Sequence, residues 1–398
     1  MKQENTNSQK NDKTSHALGE KASFLLLCLF YVVACTFIPL CFFIELGEWL
    51  TSVLCLSICV FSVLALVRIA GSVQTLIGYI LILAIFVIFG GAPLPAALFS
   101  AFIGSVCVFA YLLLKKASPV IWGLPAIPAV ATLLFSESPV GLLLSLISLP
   151  CALALTWSVK KELSRIGAVC RISASICVMI VALFGFYVYS SSGELSFSAA
   201  KAIIDTAKEQ LTVFLGSATE QLQDMLGADL ASVDLNSVIT VAISSVFNLL
   251  PAIIIVLCNI SAYIIHSVFL SAYFASEEDK KKVMPMLVFD MSLTSAIVYI
   301  AALLLAFILV SDSVAIYGTA AENIVLILAP GLVLTALAGV RALTAKKGPS
   351  CLGTLLYMLL IFLIASLSPL VIMAVAFAGA IFVILAHIGK RKAHPDDN

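Results

Sequence analysis

Long, uninterrupted apolar stretches fill this sequence, and short polar turns separate them. Hydropathy within each stretch is continuous rather than alternating, which favours membrane-spanning helices and excludes a membrane β-barrel. A helix needs about 20 apolar residues to cross a bilayer core of about 30 Å. The pattern predicts an all-α polytopic membrane protein with about 12 spans (range 10–12), near residues 23–44, 49–67, 69–89, 95–114, 120–135, 139–157, 171–192, 237–273, 286–311, 322–343, 352–367 and 370–388.

The longest predicted span, 237–273, carries polar side chains in helical register. Its 37 residues would form about 55 Å of helix, and Pro251 removes one backbone donor within it, so we expect a kink there. Asn248, Asn259 and His266 project within about 20° of one another on such a helix. Two interpretations stay open. These side chains hydrogen-bond neighbouring helices, as polar residues in membrane bundles often do, or they line a path for a substrate or ion.

Asp290 is the one carboxylate in the interior of a predicted span. Counted along the helices from the loop that joins spans eight and nine, Asp290 and His266 would lie at depths within about 5 Å of each other. Ionisable groups at membrane depth are costly and are therefore candidates for function. We predict a polar intramembrane site formed by Asn248, Asn259, His266 and Asp290. The alternative is that Asp290 is solvated near the headgroups or pairs with a lysine of the loop.

Basic residues predict the orientation of the spans. With the N-terminus inside, 20 of the 22 lysines and arginines fall on inner segments, the exceptions being Lys201 and Lys208. The positive-inside rule therefore places both termini in the cytoplasm. The predicted divisions are a disordered tail, an N-terminal bundle of about seven spans, an extracytoplasmic amphipathic segment, a C-terminal bundle of about five spans and a basic tail, at residues 1–22, 23–192, 193–236, 237–388 and 389–398.

The outer segment, 193–236, predicts one long amphipathic helix. Apolar residues recur every three or four positions, at Ala200, Ile204, Ala207, Leu211, Phe214, Ala218, Leu222 and Met225. Ser196 or Ser198 can cap the start of this helix and Gly227 can end it. Its polar face is mostly acidic, whereas helices that bind anionic lipid are usually rich in lysine and arginine. We therefore expect it to dock on the bundle or on a second subunit.

Two further features predict close or irregular helix packing. Span 120–135 is short and carries Pro125 and Pro128, so we expect a broken or re-entrant helix with kinks there. Small residues at four-residue spacing allow helix backbones to approach closely, and they occur in spans four and ten at Ala97, Ala101 and Ser105, and at Gly331, Thr335 and Gly339.

Composition and motifs exclude several function classes. The formal net charge is zero, which argues against nucleic acid as a partner, and only 11% of residues are charged. The 11 cysteines are odd in number and show no Cys-x-x-Cys spacing, so we expect packing residues and neither disulfides nor a metal site. No P-loop, His-Glu-x-x-His or Gly-x-Ser-x-Gly motif occurs. We therefore expect that the protein is not an enzyme and that it has neither catalytic residues nor a cofactor.

The second half has a familiar layout. Leu250-Pro251 opens a long span, Met284-Pro285-Met286 leads into the next, Asn323 begins a span containing Gly331 and Gly339, and a hairpin with a basic tail ends the chain. Together with the outer amphipathic segment, this layout resembles the YybS-like predicted multipass membrane proteins of Gram-positive bacteria, a family of unknown function. The resemblance implies a location in the bacterial cytoplasmic membrane. It also suggests a loose likeness to the six-helix substrate-binding components of energy-coupling-factor vitamin transporters, at the level of fold alone.

Two function classes therefore remain. The first is a transport-related membrane protein, since broken helices near the midplane recur in transporter sites. The second is a non-transporting scaffold or regulator of envelope or cell-division machinery that binds its partner through the outer helix. The bilayer is the expected partner in either case, and a small-molecule substrate or ion, partner subunits and a homo-oligomer all stay open.

Overall fold

In a computed structural model of the protein, the described residues are 4–45, 47–89, 93–115, 118–136, 138–226, 235–276, 291–309, 315–344 and 369–393. Within these ranges the chain is helical almost throughout and has no strand. The helices are α1 Glu4–Phe43, α2 Glu48–Ala70, α3 Ile77–Phe89, α4 Pro93–Lys115, α5 Pro119–Gly123, α6 Ala126–Ser136, α7 Pro139–Ser145, α8 Ser148–Lys160, α9 Arg165–Ser192, α10 Phe197–Leu226, α11 Leu235–Tyr273, α12 Leu293–Ile308, α13 Ala315–Thr344 and α14 Pro369–Ala393.

Membrane-spanning segments account for most of these helices. Nine stretches within the described ranges are long and apolar enough to cross a bilayer. The predicted spans 69–89 and 286–311 correspond to two shorter apolar helices, Gln74–Ile85 and Leu293–Ile308. The predicted span 352–367 lies outside the described residues. The prediction of an all-α polytopic membrane protein is therefore confirmed.

The structure differs from the sequence prediction at the N-terminus. Helix α1 begins at Glu4, within the segment that we predicted to be disordered, and it continues without a break into the first span. No proline occurs between its start and Pro39, so the backbone meets no chemical obstacle to helix along the tail.

The fifth and sixth spans are each divided into two short helices. Span 120–135 becomes α5 and α6, with Leu124 and Pro125 between them. This agrees with a broken helix, but Pro128 lies in the first turn of α6, where a missing N–H has no helical partner to lose, so it does not act as a kink. The sixth span divides into α7 and α8 at Leu146 and Ile147, which the sequence analysis did not predict.

The chain forms two compact units, and their boundary differs from the predicted division. The first unit contains residues 1–183 and 259–284, and the second contains 184–258 and 285–398. The long helix α11 contributes its second half to the first unit and its first half to the second. We predicted that all of 237–388 would form one bundle.

Helix α4 forms the centre of the first unit, where it packs against α1, α2, α3 and α8. Its small residues Ala97, Ala101 and Ser105 are fully buried, which confirms their predicted role in close packing. A polar network joins the neighbours: Ser62 Oγ donates to Ser100 O at 3.0 Å, and Tyr79 Oη lies 3.1 Å from Ser62 Oγ. Such interhelical bonds satisfy polar groups that no water reaches.

In the second unit, α12, α13 and α14 pack around an apolar core. Tyr299 of α12 is fully buried, and its hydroxyl donates to the carbonyl oxygen of Met373 at 3.1 Å. Gly339 of α13 lies against the ring of Phe382 of α14, so close that a Cβ there would come within 2.9 Å of it. Gly339, one of the small residues predicted for span ten, thus meets a neighbouring helix.

Helix α10 belongs to the second unit. Ser196 Oγ accepts a hydrogen bond from Ala199 N at 3.1 Å, which confirms Ser196 as the cap, while Gly227 lies outside the described residues. The ammonium group of Lys208 lies 5.4 Å from the centre of the Phe247 ring of α11. Further along, Leu211 is 37% and Phe214 67% exposed. The apolar face is therefore half-buried near the start of the helix, at Ala200 and Ile204, and exposed in its middle.

Candidate functional site

Pro251 removes one donor from the hydrogen-bond ladder of α11, and a side chain from α13 binds the backbone on either side of it. Proline has no N–H, and its ring displaces the backbone of the preceding turn. Asn323 Nδ2 donates to Asn248 O at 3.1 Å, and Asn323 Oδ1 accepts from Ala252 N at 3.2 Å. In a regular helix Ala252 N would donate to Asn248 O directly. The Asn323 amide therefore bonds to both backbone groups, Asn248 O and Ala252 N, that lie on either side of Pro251.

The position of Asn323 follows from its own helix. Its Nδ2 also donates to Thr319 O, one turn earlier on α13, at 2.8 Å, and this bond restrains the side chain. Ala321 and Val325 on α13 are buried, which sets the face that α13 presents to the core. An amide suits this position because it carries both a donor and an acceptor, one for each separated backbone group.

A second polar group, the Arg165 cluster, lies in the first unit and consists of Arg165, Tyr263, His266 and Ser267. The guanidinium carbon of Arg165 lies 5.8 Å from the centre of the Tyr263 ring, within the range of a cation–π contact. Arg165 also interacts electrostatically with His266. Arg165, His266 and Ser267 are 9%, 4% and 2% exposed. His266 Nδ1 has no hydrogen-bond partner among the described residues, and the Ser267 hydroxyl lies beside that of Tyr263.

Tight local structure places Arg165 at the start of α9. Lys161 N donates to Trp157 O and Leu163 N to Ser158 O, which close the end of α8. Glu162 adopts a left-handed backbone conformation with φ of 48°, so the chain reverses within a few residues. Ser164 Oγ then accepts from Gly167 N at 3.3 Å, as an N-cap does.

The second half of α11 is held against α4. Cys107 Sγ lies 3.9 Å from Ile265 O, and the rings of Tyr111 and Tyr273 meet edge to face at 6.4 Å between centres. His266 and Ser267 follow Tyr263 by three and four residues and so lie one turn from it, on the side of the helix that includes the Arg165 contact.

The structure describes three of the four predicted site residues. The side chain of Asn248 is exposed, and its carbonyl group, not its amide, makes the contact described above. Asn259 is half-buried and His266 is buried; both belong to the first unit and Asn248 to the second. Asp290 lies outside the described residues, so its pairing with His266 stays a prediction.

Sequence reasoning missed Asn323, Arg165 and Tyr263 as site residues. Asn323 was visible as a polar residue in an apolar span, but nothing in the sequence links it to Pro251. Arg165 was assigned to an inner loop because it lies close to Lys160 and Lys161. Within the described ranges, no three side chains of His, Cys, Asp or Glu are grouped as metal ligands would be.

The described helices and their buried polar contacts define the protein as a multipass all-α integral membrane protein, in contact with the lipid bilayer. Residues 80–382 match the family DUF2232, described as a predicted membrane protein. The match covers most of the sequence, so the chain belongs to this family, whose function is unknown. The resemblance to the YybS-like proteins is thereby confirmed. No curated protein and no solved structure matches the chain.

Proposed function

We propose that the protein is transport-related and resides in the bacterial cytoplasmic membrane, where it moves a small solute or ion. The observation that carries the proposal is the interruption of α11 at Pro251 with the inserted Asn323 amide. Transporters commonly use discontinuous helices whose freed backbone groups contact solutes or move between states. Here two backbone groups beside the proline, Asn248 O and Ala252 N, are held by one side chain, which can be exchanged for a solute or for a different helix register.

A purely structural role for Asn323 does not explain why α11 carries a proline at this position. A helix needed only for packing is most stable with an unbroken ladder, and a proline in its interior costs about 3 kcal/mol. The chain carries both a destabilising proline and a side chain suited to compensate for it. That combination is typical of a helix that bends or opens when the protein functions.

The exposed part of α10 supports a second candidate function, a scaffold or regulator. Leu211 and Phe214 present apolar surface that no described residue covers fully, and a partner protein or a second copy of the chain would bury it. In this case α10 is the functional surface and the interruption of α11 is incidental.

Two matched variants separate the candidates in a strain that lacks the chromosomal gene. We expect Pro251→Ala to abolish complementation if the protein transports, because it restores the missing backbone donor. The double variant Leu211→Lys, Phe214→Lys, at exposed positions that tolerate lysine, should then still complement the deletion. The reverse result would favour the scaffold. Solutes that raise the melting temperature of the purified protein would then be tested for uptake into proteoliposomes, with the Pro251→Ala protein as control.

We further expect the orientation given by the positive-inside rule. Cysteines introduced at Ser198 of α10 and at Lys160 of α8, both exposed, would be probed in cells after the native cysteines are replaced with serine or alanine. A membrane-impermeant maleimide should label Ser198→Cys in intact cells and Lys160→Cys only after permeabilisation. Labelling of Lys160→Cys in intact cells, with Ser198→Cys protected, would reverse the proposed orientation.

A further inference from the structure

We propose that the groove between α2 and α3 binds one acyl chain of a membrane phospholipid. The inference goes beyond the proposed function and is independent of it, because the groove uses no residue of α10, α11 or α13. Three features of the groove carry the inference: an apolar lining held in place by hydrogen bonds, a position deep in the bilayer and a volume that suits a single hydrocarbon chain.

The groove has a volume of about 420 Å³, and its lining residues lie within 59–64 of α2 and 80–88 of α3. All of these side chains are apolar, and the thiol of Cys59 is the only group among them that is not a hydrocarbon. Leu83 is buried, whereas Val60 and Ile88 are exposed. The groove is therefore closed at its base and open to the surroundings of the protein.

Buried hydrogen bonds hold the two walls of the groove in place. Helices α2 and α3 both pack against α4, and the hydroxyls of Ser62 on α2 and Tyr79 on α3 lie 3.1 Å apart. Tyr79 Oη also lies 3.2 Å from Ser100 Oγ of α4. Ser62 and Tyr79 adjoin the lining positions 63 and 80, so these bonds fix the distance between the walls. A site that is already formed loses little conformational entropy when it binds a ligand.

The depth of the groove determines which molecules reach it. Helix α2, Glu48–Ala70, is long and apolar enough to cross a bilayer, and the lining begins at its midpoint, residue 59. At about 1.5 Å per residue, positions 59–64 lie within about 8 Å of that midpoint, inside a hydrocarbon core about 30 Å thick. Lipid chains are the solvent at this depth, and an empty groove would deprive its lining of packing contacts.

The volume of the groove distinguishes an acyl chain from a protein segment. A helix is about 10–12 Å wide with its side chains, so a single turn fills about 400–600 Å³, and the groove holds one turn at most. A methylene group is close in size to water, whose share of liquid volume is about 30 Å³, so on the order of 14 methylenes fit. That is the length of one common acyl chain.

The test uses the purified full-length protein in nanodiscs of phosphatidylcholine that carries a photoreactive diazirine in one acyl chain. After illumination, lipid adducts would be located by mass spectrometry of peptides. The reference positions are Val178 and Val181, exposed residues of the membrane helix α9. We expect adducts at the lining positions to be at least about threefold more frequent than at the reference positions, because a chain in a groove contacts more atoms than one on an open surface.

Two phenylalanine variants locate the effect. Ala84 is an exposed lining residue, and Ala84→Phe should fill part of the groove and lower the adducts there at least about fivefold, since the ring takes the place of the chain. Ala301→Phe adds the same ring at an exposed position of α12 and should leave the adducts unchanged. Native mass spectrometry in mild detergent supplies a second measurement: the wild type and Ala301→Phe should each retain one more phospholipid than Ala84→Phe.

Any of three results would overturn the proposal. Adducts that are equally frequent at the lining and the reference positions would show ordinary contact with the bilayer. Adducts at the reference positions but none at the lining would show that another part of the chain covers the groove. Equal adducts and equal phospholipid retention in Ala84→Phe and Ala301→Phe would show that the groove is not the site of binding.

Discussion

Replacement of Asn323 with leucine is expected to destabilise the protein by about 2–5 kcal/mol. The amide is bonded to Asn248 O and Ala252 N, and leucine would leave both backbone groups without a partner. A backbone group left unpaired in lipid or protein costs about 1–3 kcal/mol, and Pro251 already removes one bond from the same turn. The change would be measured as the free energy of unfolding in mixed detergent micelles.

The same substitution in a Pro251→Ala background should cost less than about 1 kcal/mol. Without proline the helix can form its regular bonds, so Ala252 N donates directly to Asn248 O and no longer needs the amide. A double-mutant cycle on the two positions should therefore give a coupling energy of about 1–3 kcal/mol. Equal losses in both backgrounds would show that Asn323 acts through its other bond, to Thr319 O, and not through the interruption.

Asn259→Leu is the matched control for this cycle. Asn259 is also a half-buried asparagine on α11, about 12 Å from Pro251 along the helix. The stability lost in Asn259→Leu should be the same with proline or alanine at position 251, because the effects of sites more than about 7–10 Å apart usually add. Coupling of similar size at Asn259 would mean that Pro251→Ala changes the whole helix.

Helices could be predicted from this sequence because hydrocarbon imposes strict rules. A stretch that crosses lipid must satisfy every backbone group internally, so a long apolar stretch has few alternatives to helix. Where the prediction was least accurate, the apolar stretch was too short or interrupted. Spans 120–135 and 139–157 divide into paired short helices, and hydropathy alone does not distinguish a straight helix from a broken one.

The candidate sites were only partly predictable, because they depend on contacts between distant residues. Pro251 was identified as an interruption, but its partner Asn323 lies 75 positions from Asn248, to which it donates. Arg165 looked like one more positive charge of an inner loop, and only the structure shows it buried in contact with Tyr263 and His266 of α11. In both cases the sequence showed an unusual residue, while the group that completes its chemistry is set by tertiary structure.

Packing between α13 and α14 leads to the second large effect, at Gly379. The hydrogen of Gly379 faces the backbone of α13, and a Cβ there would fall well inside van der Waals distance of the Leu332 carbonyl oxygen and 3.3 Å from the Ala336 Cβ. Because a backbone carbonyl cannot rotate away as a side chain can, the two helices would have to separate. We expect Gly379→Ala to lower the free energy of unfolding by about 3 kcal/mol or more.

Gly389→Ala, ten residues further along the same helix, separates packing from helix propensity. A Cβ at Gly389 meets nothing within 4 Å, so alanine should keep or raise stability, by up to about 1 kcal/mol from propensity alone. Opposite signs for the same chemical change on one helix can arise only from the close approach at Gly379, since intrinsic propensity favours alanine at both positions. Equal, small effects would instead mean that α14 does not approach α13 this closely in the membrane.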